Sequence, residues 1–144
     1  MPIRTATDAD IPRIIEMGMR SIDIGPYKDE IKNQIVAAKT AANVMAGNGR
    51  ILLAEEDGKT VGLFGFIIYD HFYTGRKTAI ELMWYVEPEY RQGFTAIALL
   101  RAAQRIAKEL GAEKMQCSAP TEEVGRAYEA VGYRKLEVAY QRSL

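Results

Sequence analysis

The sequence predicts an α/β (α+β) fold: one mixed, mostly antiparallel sheet with helices on both faces, in the order β-α-α-β-β-β-α-β-α-β. Three observations carry this. Two apolar runs, 51–54 and 61–69, flank Asp57-Gly58, a hairpin dipeptide, so the first half of the sheet is antiparallel. A strand-like run over 78–86 stops before Pro88 and opens, through Arg91-Gln92-Gly93-Phe94-Thr95-Ala96, into a long amphipathic helix. Helical spans then separate the remaining strands, as crossover connections require.

The elements follow in order. Residues 3–6 read as a short first strand. Thr7-Asp8-Ala9-Asp10 sets an acid three places after a hydroxyl, a capping box, and Ile11, Ile14, Ile15 and Gly18 recur on one helical face behind it. Pro12 is early enough for a first turn. Gly25-Pro26 breaks the chain. A second helix is expected from about Asp29, with Ile31, Ile35, Ala38, Ala42 and Met45 on one stripe, ending at Gly47. Residues 51–54 form a buried-type strand, and 61–69, mostly apolar, read as a strand covered on both faces. Residues 70–77 are a polar and aromatic connection to the strand 78–86. The next helix carries Leu99, Leu100, Ala103, Ile106, Ala107 and Leu110 on one arc, with Arg101, Gln104, Arg105 and Lys108 opposite, and Gly111 stops it. A strand over 114–118, a short helix over 122–130 and a final alternating strand over 133–142 complete the order. No repeat or linker interrupts it, so 1–144 is expected to be a single domain.

Composition narrows the function classes. Nineteen basic residues balance nineteen acidic ones in 144 residues. That speaks against duplex nucleic acid as a partner, because phosphate-backbone affinity comes from clustered positive charge. The single cysteine, Cys117, excludes an intrachain disulfide, and no Cys/His cluster has zinc spacing, so no metal is expected. No apolar run reaches membrane-span length and Met1-Pro2-Ile3-Arg4 lacks the apolar core of a signal peptide, so the expected setting is a reducing cytoplasm with no membrane partner.

The strand-turn-helix joint is where chemistry is expected. The first N–H groups of a helix have no partner within it, and its dipole places partial positive charge there. Arg91 and Gly93 in that loop therefore predict a phosphate or pyrophosphate site. The alternative is a plain strand-turn-helix with Arg91 solvated.

Three segments carry a family resemblance across essentially the whole chain: Ile3-Arg4-Thr5-Ala6-Thr7 leading to Asp10-Ile11, the stretch Glu81-Leu82-Met83-Trp84-Tyr85-Val86-Glu87-Pro88-Glu89-Tyr90-Arg91, and Ala127-Tyr128-Glu129-Ala130-Val131-Gly132-Tyr133. In this order and spacing they resemble the acyl-CoA N-acyltransferases of the GNAT superfamily. The resemblance implies acetyl-CoA as co-substrate, with Trp84, Tyr85 and Val86 lining the pantetheine and Arg91, Gln92, Gly93, Phe94, Thr95 and Ala96 cradling the pyrophosphate. One departure stands out. The family's loop is Arg/Gln-x-x-Gly-x-Gly/Ala, and here Phe94 occupies the first glycine position while the glycine has moved to Gly93. Backbone can then approach phosphate only if the Phe94 side chain turns outward.

The same resemblance makes the protein an N-acetyltransferase in which a primary amine attacks the thioester directly within a ternary complex. Tyr128 stands where the family often has its general acid; the alternative is a tyrosine packed on the last strand, as Tyr133 and Tyr140 are expected to be. Glu81, inside an otherwise apolar strand, is the candidate base or water relay, since burial raises a carboxylate towards the range a base needs. Simple alternation puts it on the face of Met83 and Tyr85; a solvated or ion-paired glutamate is the alternative. Asp70, His71 and Tyr73, in the connection before the central strand, and Tyr27, between the first two helices, are candidate acceptor contacts, Asp70 with Glu81 suiting a cationic amine. Cys117 is expected to pack as a small core residue, and Glu87 and Glu89 to form a solvated turn. The acceptor is a small-molecule or protein amine, and family analogy suggests a homodimer. Two other classes compete: a non-catalytic CoA-binding or protein-interaction module on the same fold, and a nucleotide-binding protein, which lacks a Walker-type Gly-Lys-Ser/Thr here.

Overall fold

The computed structural model describes residues 2–144. Its sheet has the strand order β1 (Ile3–Thr5), β2 (Gly49–Glu56), β3 (Lys59–Asp70), β4 (Lys77–Val86) and β5 (Lys114–Gln116). Neighbours pair antiparallel except β4 and β5, which run parallel. Helices α1 (Ile11–Asp23) and α2 (Gln34–Ala46) precede β2; α3 (Thr95–Glu109) crosses from β4 to β5, and α4 (Glu122–Ala130) follows.

The continuous apolar run of β3 has its explanation in two cores, one on each face. On one face Leu52, Phe64, Phe66 and Ala79 pack against Leu99, Leu100, Ala103 and Ala107 of α3. On the other, Ile51, Leu53, Leu63 and Tyr85 pack against Ile14 and Met17 of α1 and Ala41 of α2. Full burial of a side chain such as Phe64 contributes about 2–3 kcal/mol. The Asp57-Gly58 hairpin forms with both residues at positive φ, 53° and 73°, matching the twist of the strands it joins.

Helix entries and exits follow local chemistry. The Asp10 carboxylate accepts the Thr7 N–H at 2.9 Å and both Nη atoms of Arg4 at 2.8 Å, which hold its pKa well below the usual carboxylate range. A short 3₁₀ turn at Asp8–Asp10 therefore precedes α1, with Pro12 in its first turn. After α4, the Tyr133 N–H reaches the Tyr128 carbonyl at 3.0 Å and the Gly132 N–H the Glu129 carbonyl at 3.1 Å. This is a Schellman ending, and Gly132 supplies its left-handed residue at φ 98°.

Two expectations fail here. Helix α2 begins at Gln34, capped by Asn33, whose side chain accepts the Val36 N–H at 3.1 Å. The face it buries is Ala41 with Val44 and Met45, whereas Ile31, 98% exposed, and Ile35 lie outside. The expected stripe assumed a start at Asp29, but Asn33 is the residue that caps. The final strand over 133–142 is also not formed. Strand β5 is three residues long and leaves little edge to pair with, so Leu136, Val138 and Tyr140 are exposed, Tyr140 at 94%. Alternation marks a segment that suits a ladder, but a ladder also needs a partner.

Candidate active site

Strand β4 builds the site through an irregularity. Gly65 pairs with Met83, but the next residue of β3, Phe66, pairs with Glu81, so Leu82 is an extra residue in the ladder. Beyond it the two faces of β4 exchange. Met83 and Tyr85 face α1, Trp84 faces α3, and Glu81 shares the face of Phe66, on the α3 and α4 side. Glu81 therefore lies opposite Met83 and Tyr85, contrary to simple alternation, because a bulge shifts every side chain after it to the other face. The parallel pairing with β5 ends at Ile80–Gln116, so the outer edge of β4 from Glu81 onward runs free of that neighbour.

Around Glu81 a polar cluster is closed in by aromatic rings. The Tyr128 hydroxyl, from α4, lies 3.5 Å from Glu81 Oε1, and the Ser118 N–H reaches the same oxygen at 3.4 Å. The Tyr128 ring sits between Trp84 and Tyr133, each 5.2 Å away between centroids. Trp84 is tied to the first turn of α3 by its indole N–H, 3.2 Å from the Ala96 carbonyl. Burial raises the Glu81 pKa above 4.5, and the bonds from Ser118 and Tyr128 offset part of that rise. The Tyr128 phenol is pushed far above its ordinary range by burial first, then by Cys117 and Glu81 beside it. Burial and the Glu81 charge push the Cys117 thiol up to about 11. A carboxylate shifted toward neutrality beside a phenol that stays protonated is a base and an acid within reach of one another.

The loop after β4 is shaped for an anion. Among the described residues the N–H groups of 94–97 make no turn or cap bond to a backbone carbonyl, and the first to bond back is Ala98, to the Phe94 carbonyl at 2.9 Å. A Cβ added at Gly93 would meet nothing within 4 Å, so the space beside these amides is open. Phe94 is 81% exposed, its ring in solvent. Thr95 is buried, its hydroxyl donating to Glu56 Oε2 at 2.9 Å, which anchors the helix start to the β2–β3 hairpin. The Arg91 side chain folds back: its Nε donates to the Val86 carbonyl at 2.7 Å and its guanidinium lies 5.3 Å from the Tyr85 ring centre. These residues suit the pyrophosphate of coenzyme A, which needs consecutive amides and a nearby cation and little else.

Several sequence-derived candidates stand apart. Asp70 pairs with Lys77 at 3.6 Å and lies four residues beyond Phe66 on β3, about 13 Å from the level of Glu81. The acid pair expected for a cationic amine is thus not assembled. His71 and Tyr73 belong to the exposed turn that follows, where the Tyr73 N–H donates to His71 Nδ1 at 3.2 Å. Tyr27 is exposed in the turn between α1 and α2. Glu87 is not solvated as expected: it is 15% exposed and takes the Arg20 fork at 2.9–3.1 Å, with Arg13 at 3.9 Å. Gln104, assigned to the outer face of α3, turns inward and donates to the Tyr133 hydroxyl at 2.7 Å. β3 carries two glycines, Gly62 and Gly65, and its register with β4 changes just after Gly65.

The fold sets a strand whose parallel pairing ends at Ile80 beside the loop that opens α3. Solved structures agree on the fold. The chain matches a transcriptional regulator from Bacillus halodurans C-125 with a TM-score of 0.83 at 17% identity, covering 99% of each chain. It matches ribosomal-protein-alanine N-acetyltransferase from Brucella melitensis biovar Abortus 2308 with a TM-score of 0.79 at 18% identity, covering 100% of both. It also matches an aminoglycoside antibiotic 6'-N-acetyltransferase from Acinetobacter haemolyticus with a TM-score of 0.79 at 18% identity, covering 100% of this chain and 98% of that one. Among curated proteins no sequence matches significantly. The profile of the Acetyltransferase (GNAT) family matches residues 18–133, and the protein belongs to that family.

Proposed function

We propose that the protein is an acetyl-CoA-dependent N-acetyltransferase that acts by direct attack of a primary amine in a ternary complex. The observation that carries this reading is the approach of the Tyr128 hydroxyl to Glu81 at 3.5 Å, where β4 and β5 part beside the amide-lined loop. Residues 92–96 and Arg91 hold the pyrophosphate, and the free edge of β4 through Trp84, Tyr85 and Val86 runs beside the pantetheine. Acetyl-CoA, when bound, supplies an activated acyl carbon and a thiolate leaving group. Glu81 accepts the proton that the amine nitrogen loses as its bond to carbon forms. Tyr128 gives its hydroxyl proton to the departing sulfur and recovers one from protonated Glu81. The net transfer moves one proton from nitrogen to sulfur and leaves both side chains as they began.

Calorimetric titration with acetyl-CoA tests the first half of the reading, with Arg91→Glu as the comparison after its fold is checked by circular dichroism. Saturable binding that the variant loses supports the loop assignment; no binding by the folded wild type overturns it. Free-thiol release with a panel of primary amines tests the second half. The panel includes an aminoglycoside and a peptide with an N-terminal alanine, because two structural neighbours are named for them. Binding without turnover of any amine would favour a CoA-binding module instead.

A further inference from the structure

Trp84 joins two parts of the site that the chemistry requires to stay in register. Its indole N–H donates to the Ala96 carbonyl at 3.2 Å, in the first turn of α3. A carbonyl oxygen has two lone pairs, so this contact takes no bond from the helix. The Trp84 ring lies 5.2 Å from the Tyr128 ring between centroids, tilted by 40°. Phe64, fully buried, packs against it as well, with centroids 6.0 Å apart. Two ring contacts and a hydrogen bond leave an indole little freedom to turn. One side chain of β4 therefore touches both the helix start beside the loop and the candidate acid, and the same strand carries Glu81.

We propose that the Trp84 side chain is a positioning residue, a strut that holds Tyr128 at a set distance from the first turn of α3. Acetyl-CoA is a long ligand whose two ends meet different elements: the pyrophosphate meets the loop before α3, and the thioester sulfur meets Tyr128 of α4. Transfer needs both ends seated at once, and a misplacement of about 1 Å at the reacting atoms can cost about a hundredfold in rate. Binding tolerates slack between the two ends far better, because most contacts of the ligand survive it. The inference rests on the readings of Tyr128 as the acid and of the loop as the phosphate site, and it can fail while they stand.

The geometry can be checked without an acceptor. Trp84 is the single tryptophan of the chain, so one indole N–H peak in a proton–nitrogen correlation spectrum reports it alone. The bond to Ala96 predicts slow exchange of that proton with solvent, and Tyr128→Leu should move the peak by removing the neighbouring ring. Fast exchange, or an unmoved peak, overturns the strut. Steady-state kinetics with the fastest amine of the panel then read its effect. Trp84→Phe keeps an aromatic ring beside Tyr128 and loses the N–H. It should lower kcat about tenfold and leave the calorimetric Kd for acetyl-CoA within about threefold. Wild-type kcat in Trp84→Phe, with Tyr128→Phe impaired, overturns the strut and leaves the acid role standing. A weakened Kd with unchanged kcat also overturns it, since Trp84 would then serve cofactor binding alone. Wild-type kcat in Tyr128→Phe overturns the acid role and the strut with it.

Discussion

Tyr128 and Glu81 meet because β4 carries one residue more than β3 needs opposite it. Without the extra Leu82, a Glu81 on the same face as Met83 and Tyr85 would point toward α1, away from α4. The bulge thus joins three features in one place: the acid on the α4 face, the end of the β4–β5 ladder, and an exposed Leu82 at the point where the strands part. Bulges re-aim side chains and terminate pairing, and this one does both.

The pH profile follows from the environments of the two groups. Glu81 must be ionised to accept a proton, and burial raises its pKa from 4.5, so kcat/KM should rise with pH along a limb above the ordinary carboxylate range. Tyr128 titrates far too high to produce a falling limb below about pH 10. Glu81→Gln should abolish that lower limb, leaving only the rise at higher pH that comes from deprotonation of the amine itself, and lower kcat about a hundredfold; Tyr128→Phe should lower kcat to a similar extent with little change in KM for acetyl-CoA. Retention of the limb in Glu81→Gln would remove Glu81 from the role of base.

The same shift has a thermodynamic signature. A carboxylate whose folded pKa is raised costs nothing while both states hold the proton, below the unfolded value of 4.5. As pH rises from there toward the folded pKa, the unfolded chain ionises first and folding stability is lost; above the folded pKa the loss is constant. Urea unfolding of Glu81→Gln and wild type between about pH 4 and pH 8 should therefore show the variant gaining relative stability as pH rises. Asp10, depressed by Arg4, acts with the opposite sign: its contribution is present above 3.8 and is lost as pH falls below that value.

Two glycines should respond in opposite ways. A Cβ at Gly49 would lie 2.5 Å from the Phe66 carbonyl and 2.6 Å from Val44 Cγ1, so Gly49→Ala should destabilise the fold by about 2 kcal/mol. A Cβ at Gly93 meets no protein atom within 4 Å. Gly93→Ala should leave unfolding within about 0.5 kcal/mol of wild type. If the open space belongs to phosphate, the same variant should weaken acetyl-CoA binding by about tenfold in calorimetry. Unchanged affinity would move the phosphate site elsewhere.

The parts of this architecture legible in the sequence were those set by local chemistry: the Asp57-Gly58 turn, the double-faced β3, the loop into α3 and the Gly111 ending of α3. What escaped was decided between elements. Alternation cannot reveal that Leu82 is unpaired, because Ile80, Leu82 and Met83 are all apolar and any register reads alike. Gln104 sits among charged residues on its helix and reads as solvent-facing until Tyr133 arrives from α4. The segment 133–142 has strand periodicity, yet a three-residue β5 gives it no ladder. Glu81 and Tyr128 were named from the family resemblance, whereas their approach depended on a bulge that the resemblance did not carry.

Glu87 supplies the last prediction, since its setting overturns the solvated turn that its neighbours Pro88 and Glu89 suggest. Its carboxylate takes Arg20 Nε and Nη2 at 2.9–3.1 Å and is 15% exposed, so it is held between α1 and the end of β4. Tyr85 lies beside both groups, its phenol raised by burial first and then by Glu87. Arg20→Met removes the fork and leaves a largely desolvated carboxylate whose remaining cation is Arg13, 3.9 Å away among the described residues. A fully buried pair broken this way costs about 3–5 kcal/mol, but Arg20 is 40% exposed and solvent screens part of the loss, so about 1–2 kcal/mol is expected. Asp23 and Lys32 form a control pair in a more exposed setting, and Asp23→Asn should change stability by no more than about 0.5 kcal/mol. Urea unfolding of the two variants reads the difference. Equal effects would mean that the Arg20 fork does not anchor β4; a larger loss in Arg20→Met, with acetyl-CoA binding weakened as well, would mean that α1 holds the strand in the position the loop requires.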